Sequence, residues 1–272
     1  MAGVSTGSST EPSSRPSVSG PSSADLIAGV APPALPKRSA AEWKAADGIV
    51  EDPVLRHAIR AASSIPEPPF FSVTPGLEKD YFASPLTAQR VGTLTKLVVP
   101  CGVTTLAGLQ HAADLTWLDV CAETRDLDLA PIAHLHPTTL TLTGAELTDL
   151  SVVKTMGVKT LFIGPAPKLT DLTPLAGSST ITLLNLNGTT VSDVTPIGSL
   201  AKVEEISLSD SPITDLTPLI PLGRLGTLWR ISITRIPATD AQPLQDIDVA
   251  LRAAGGSLTT LGSNSFVWDA VK

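Results

Sequence analysis

Four histidines and two cysteines are the residues of this sequence best suited to proton transfer, nucleophilic attack or metal binding. A Ser or Cys nucleophile needs a base within hydrogen-bond reach, and the pairing usually leaves a local motif. His57, His111, His134 and His136 have no such companion, and no G-x-S-x-G, phosphate-binding glycine loop or H-E-x-x-H is present. His134 and His136 flank Leu135 in a variable turn, where a surface role accounts for them. Cys101 and Cys121 lack the C-x-x-C spacing of a metal or redox pair. A pair of neighbouring reduced thiols is the simpler account of them; a single bridge between adjacent units of the chain is the other. Aspartates recur at 128, 149, 171, 193 and 215. On stacked strands such copies would stand roughly 5 Å apart, near enough for a cation to bridge. Asp and Thr also bond nearby backbone N–H groups in turns, and that capping role is the stronger expectation. No enzyme, metal or cofactor follows from these residues.

Composition narrows the partners. The 272 residues carry a formal net charge of −7, with 17% charged, 42% hydrophobic and only 4% aromatic residues. A phosphate backbone demands a basic surface, so nucleic acid is not expected as a partner, nor is an anionic membrane. No stretch approaches the ~20 apolar residues of a spanning helix. Met1–Ala24 has no basic start followed by an apolar run, so export by the general secretory route is not expected. These features predict a soluble protein; it is expected to be cytoplasmic and monomeric, with self-association of the repeats through an open end or edge as the other reading.

Four regions follow along the chain. Residues 1–40 form a Ser/Pro-rich tail, with nine Ser among the first 24 residues, which cannot bury enough apolar area to order itself. Such a tail is either a plain flexible leader or an uncleaved export signal of the type III kind. Residues 41–92 read as a helical N-terminal cap. Ala41–Asp47 can form a short helix; Asp52 then offers an N-cap carboxylate before Pro53, with Leu55, Ile59 and Ala62 on one face and an end near Ser63–Ser64. Pro66–Ser84 adds Phe70, Phe71, Tyr81 and Phe82 as a ring-rich cover. Residues 237–272 form a C-terminal cap, with a helix over Asp240–Ala254 facing inward through Leu244, Ile247, Ala250 and Leu251, then Phe266 and Trp268 in a last strand or loop.

Residues 93–236 are an internal repeat. Apolar pairs recur as Leu97/Val99, Leu118/Val120, Leu140/Leu142, Leu161/Ile163, Leu184/Leu186 and Ile206/Leu208, at steps of 21 to 23 residues. A seventh unit is led by Leu228 or by Ile231/Ile233. A second phrase keeps step with the pairs: Leu169–Leu175, Val191–Ile197 and Ile213–Leu219, each with Asp at its third place and Thr-Pro at its fifth and sixth. Weaker copies lie at Leu147–Val153 and Asp128–Ile132. A strand of a few residues puts the apolar pair on one face and the residues between on the other. No unit buries its pair alone, so neighbours must stack in parallel. Thr173, Thr195 and Thr217 before Pro suit N-caps, and the following turn is short enough for 3₁₀ or irregular structure only.

These phrases resemble the internalin-like class of bacterial leucine-rich repeats, over about residues 50–236. The resemblance implies an α/β solenoid: short parallel strands on the concave face, 3₁₀ or irregular segments on the convex face, and a helical N-terminal cap. It also implies a protein-binding function. One departure stands out. The family's Asn three residues after the second apolar position is replaced by Gly102, Glu123, Ala145, Ala166, Thr189 and Ser211. Only Thr189 and Ser211 can partly substitute for it.

Parity then places the function. Outward strand residues are Lys96 and Val98, Trp117 and Asp119, Thr139 and Thr141, Thr160 and Phe162, Leu183 and Asn185, Glu205 and Ser207. Trp229 joins them if Leu228 leads its unit and turns inward if Ile231 does. A few rings in a polar surround make a protein-binding face. Trp117, Asp119, Thr141, Phe162, Asn185, Ser207 and Trp229 are the candidate partner-binding residues. The partner is a protein, either endogenous or, if the tail is an export signal, a host protein met by a secreted bacterial effector.

Overall fold

The computed structural model of the chain describes residues 49–63, 86–123, 127–238, 240, 242–253 and 259–261. The Ser/Pro tail, the helix expected at Ala41–Asp47, the ring-rich Pro66–Ser84 stretch, and Phe266 and Trp268 lie outside them. Helix α1 spans Pro53–Ala62. Asp52 caps it as expected: one carboxylate oxygen accepts from the backbone N–H of Val54 (2.8 Å) and Leu55 (2.9 Å). Its other oxygen accepts from the backbone N–H and the hydroxyl of Thr104, both at 2.7 Å. One buried carboxylate thus starts the helix and ties it to the first repeat. The inward face differs from the expected one. Leu55 and Ile59 are buried, but Ala62 is exposed and Arg56 and Arg60 complete the face. Ala62 sits in the last turn, beyond the cover of the repeats. Arg56 is tolerated inside because its guanidinium donates to the Val50 carbonyl at 2.7 Å. A second short helix, α2 (Ala88–Gly92), capped by Thr87, leads into the sheet.

The strands are β1 (Lys96–Val99), β2 (Trp117–Cys121), β3 (Thr139–Thr143), β4 (Thr160–Ile163), β5 (Leu183–Asn185), β6 (Glu205–Ser207), β7 (Arg230–Ser232) and β8 (Thr259–Leu261). They form one sheet in sequence order, every neighbouring pair parallel. The register aligns the repeat positions: Leu97, Leu118, Leu140, Leu161, Leu184, Ile206 and Ile231 form one buried row across the stack. Each is at most 1% exposed, so every unit completes its neighbour's core. The seventh unit is led by Ile231/Ile233, a step of 25 residues from Ile206.

Convex turns close each repeat. They are the 3₁₀ segments Leu109–His111, Ala130–Ile132, Thr173–Leu175, Thr195–Ser199 and Thr217–Leu225, with one α-helical turn at Val153–Met156. The aspartates cap them: the backbone N–H two residues on donates to Asp128, Asp149, Asp171, Asp193 and Asp215 at 2.7–2.8 Å. Thr173, Thr195 and Thr217 are therefore not N-caps. They are the first residues of their turns and donate to the Asp behind them. Hydrogen bonds from these threonines, side chain before backbone, hold the carboxyls of Asp171, Asp193 and Asp215 below the ordinary carboxylate value.

Thr189 and Ser211 do take over part of the missing Asn ladder. Both are 3% exposed; Thr189 Oγ1 donates to the Leu186 carbonyl at 2.9 Å, and Ser211 Oγ to the same carbonyl at 3.2 Å. At the other end, helix α3 (Gln242–Ala253) covers the last convex turn through Leu244, Ile247 and Leu251. It approaches so closely that a Cβ at Gly223 would lie 2.9 Å from the Ile247 carbonyl oxygen.

Candidate functional site

The sheet's outward side chains stand in two rows fixed by the register. Lys96, Trp117, Thr139, Thr160, Leu183, Glu205 and Arg230 form the first, and Val98, Asp119, Thr141, Phe162, Asn185, Ser207 and Ser232 the second. The sequence contributes one decisive fact about this face. Trp117, Phe162 and Trp229 are the aromatic residues among those described, and all three lie on it or at its edge. The described core is wholly aliphatic.

Exposure differs along the face. Trp117 is 38% exposed and Val98 51%, while Asp119, Phe162, Asn185 and Ser207 are half-buried. Thr141 is 8% exposed, between register partners with longer side chains, Asp119 and Phe162, and offers the least surface of the row. Asn185 turns its amide oxygen to its own chain, accepting from the Asn187 N–H at 3.0 Å.

Trp229 departs from the parity argument. Ile231 leads the unit, yet Trp229 does not turn inward and is 46% exposed. β7 begins at Arg230, so Trp229 precedes the pleated segment and alternation does not govern it. Its backbone N–H donates to the Glu204 carbonyl at 2.9 Å. Arg230 takes the strand position and pairs with Glu205 at 3.2 Å. Sequence reasoning missed Arg230 and Ser232; the lengthened step before Ile231 was the signal that could have found them.

The two tryptophans are alike in their surroundings. The Lys96 ammonium lies 4.6 Å from the Trp117 ring centroid, and the Arg230 guanidinium 5.9 Å from that of Trp229. Five strand steps separate them, about 24 Å along the sheet at the ~4.8 Å strand spacing. Between them the face is uncharged, apart from Asp119 near one end and Glu205 near the other. Burial pushes the Asp119 carboxyl above the ordinary carboxylate value, and the positive charge of Lys96 opposes that rise.

A cavity of about 600 Å³ opens on another side, lined by Ala122, Leu127, Leu129, Ala133, Leu147 and Val152 with Glu146 and Lys168. Its lining aspartates, Asp128 and Asp149, are already engaged as turn caps.

Cys101 and Cys121 form a disulfide, which corrects the expectation of reduced thiols. Stacking brings their Cα atoms to 4.8 Å, the separation of paired strands and within bridging range. Among the described residues one group has metal-ligand chemistry, Cys101, Cys121 and Glu123, with ligand atoms within 4.8 Å of one another. A closed bridge leaves no thiolate there to bind a metal.

Comparison with known proteins agrees with this geometry. The chain is similar to the crystal structure of an internalin C2 from Listeria monocytogenes, with a TM-score of 0.59 and 22% identity, over 83% of this chain and 92% of that one. A second internalin of the same organism matches with a TM-score of 0.49 and 21% identity, over 79% of this chain and 69% of that one. No family model and no curated protein sequence matches the chain. The fold is the internalin-like leucine-rich-repeat solenoid: one parallel sheet of short strands, 3₁₀ turns opposite it and a helix at its N-terminal end. No described helix is long and apolar enough to cross a membrane.

Proposed function

We propose that the chain is a protein-binding module whose partner lies along the strand face between Trp117 and Trp229. The observation that carries this reading is the placement of the rings. A fold that builds its described core without one aromatic side chain sets Trp117 and Phe162 on the strand face and Trp229 just before its seventh strand, and leaves both tryptophans well exposed. Tryptophan is costly to leave in water and is enriched among residues that dominate binding energy. Trp117, Phe162 and Trp229 are the anchors. Asp119, Asn185 and Ser207 supply the polar surround, and Thr141 contributes shape from beneath. The proposal assigns no catalytic step, cofactor or metal to the chain.

Two anchors about 24 Å apart suit a folded partner or a long extended segment, since a stable interface spans such a length. Quantitative capture by the immobilised full chain tests the reading, with wild type compared against Trp117→Ala, Trp229→Ala and Val249→Ala. Val249 is 67% exposed on helix α3, away from the strand face, and serves as a control. Each Trp variant should weaken capture of the same partner by about thirtyfold, the loss of ~2 kcal/mol typical of a binding hot spot. The Val249 variant should retain capture. Equal retention by all three variants would refute the assignment of this face.

A further inference from the structure

We infer that the Cys101–Cys121 bridge is a redox-governed clasp on the N-terminal end of the strand face, closed in an oxidising compartment and opened by a dithiol reductant. Cys101 follows β1 and Cys121 ends β2, so the bond joins the first two strands of the sheet. Among the described residues β1 ends the sheet, with β2 as its hydrogen-bonded neighbour and helix α1 packed against it. The chain has two cysteines in all, so neither thiol has a competing intramolecular partner.

Further along, Thr189 and Ser211 bond the Leu186 carbonyl and hold neighbouring repeats together at the position of the missing Asn ladder. In the first two units that position holds Gly102, which has no side chain, and Glu123, which is exposed. The disulfide lies beside this gap and supplies covalently the link between repeats that hydrogen bonds supply downstream.

β1 carries Lys96 and Val98; β2 carries Trp117 and Asp119 and ends in Cys121 itself. Lys96 stands over the Trp117 ring only while the two strands keep register. The clasp therefore sets the geometry of one of the two anchors, a consequence that rests on the binding role proposed above.

Closure joins the two thiols as one S–S bond, and their two electrons and two protons pass to a disulfide donor, which leaves as two thiols. Opening is the reverse, with a dithiol as reductant, and proceeds through the half-buried Cys101, since Cys121 is only 7% exposed. In a cytosol poised by glutathione and thioredoxin the clasp stands open, so the closed form belongs outside it.

The test uses the full chain with no partner present, so it stands or falls independently of the binding reading. Protein equilibrated with glutathione disulfide, and the same protein reduced with dithiothreitol, are compared by thiol alkylation and by hydrogen exchange. The oxidised chain should resist alkylation. Reduction should speed amide exchange in Lys96–Val99 and Trp117–Cys121 by about tenfold or more, with Leu183–Asn185 unchanged as the internal reference. Cys101→Ser/Cys121→Ser should match the reduced form under both conditions; if that variant fails to fold, reduced wild type alone carries the comparison. Free thiols persisting in the disulfide buffer, or identical exchange in β1 and β2 in both states, would overturn the inference.

Discussion

Leu183 and Leu184 are adjacent, chemically identical and placed on opposite faces of β5, which makes them a direct test of how the pleat divides this solenoid. Leu184 is 0% exposed, in register with Leu161 on one side and Ile206 on the other. Truncation to Ala removes buried carbon from the middle of the stack and leaves a cavity whose walls belong to three repeats. The cost for such a site is about 3 kcal/mol, within the 2–5 range for Leu→Ala in cores. In a solenoid each repeat leans only on its neighbours, so nothing beyond β4 and β6 shares that loss. Leu183 is half-buried on the outward row beside Thr160 and Glu205, and its truncation leaves a dent rather than a void. The cost there is about 1 kcal/mol or less. For a domain of this size 1 kcal/mol moves the midpoint by ~2–4 °C, so Leu184→Ala should lower Tm by about 6–12 °C and Leu183→Ala by no more than ~4 °C. Thermal melts followed by circular dichroism, repeated in urea with the slope held common, measure both. Equal losses at the two positions would refute the division of the strands into a core face and a binding face.

Two further outcomes follow from charge. Burial favours the neutral form of Asp119, so its contribution to stability is full below the ordinary carboxylate value and is lost as pH rises through its raised folded value. Asp119→Asn should therefore raise Tm at neutral pH, and a pH series of melts should show the gain vanish in acid; a gain independent of pH would be inconsistent with this account. Asp171, Asp193 and Asp215 have the opposite sign. Their carboxyls are held low by the threonines they cap, so their contribution is present above the ordinary value and lost as pH falls through the depressed folded value. Replacing all three with Asn keeps an acceptor at each turn and should make the fall of Tm in acid less steep; an unchanged acid limb would contradict the capping role.

The repeat was legible in the sequence because its cause is local and recurs. An apolar pair two residues apart fits only a short strand with one buried face, and the same pair at 21 to 23 residue steps forces stacking. The aspartates were legible as turn caps for the same reason, since each bonds a backbone N–H two residues on. Thr173, Thr195 and Thr217 differ from the expected N-caps because Thr-Pro suits the first two positions of a turn as well as a cap and its successor.

What remained hidden depends on relations between repeats. Whether Cys101 and Cys121 bond is decided by the separation that stacking imposes, and the sequence distance between them carries no such information. Trp229 stays exposed because β7 begins one residue after it, a boundary set by the hydrogen bonds of Glu204 and Glu205 in the preceding repeat. Arg56 and Arg60 are buried because the first repeat lies against their helix, where the helical pattern alone left them polar. Alternation and period are written into each unit of the chain; strand ends, cross-repeat bonds and what covers a given side chain arise only when the units pack, and so only the tertiary structure decides them.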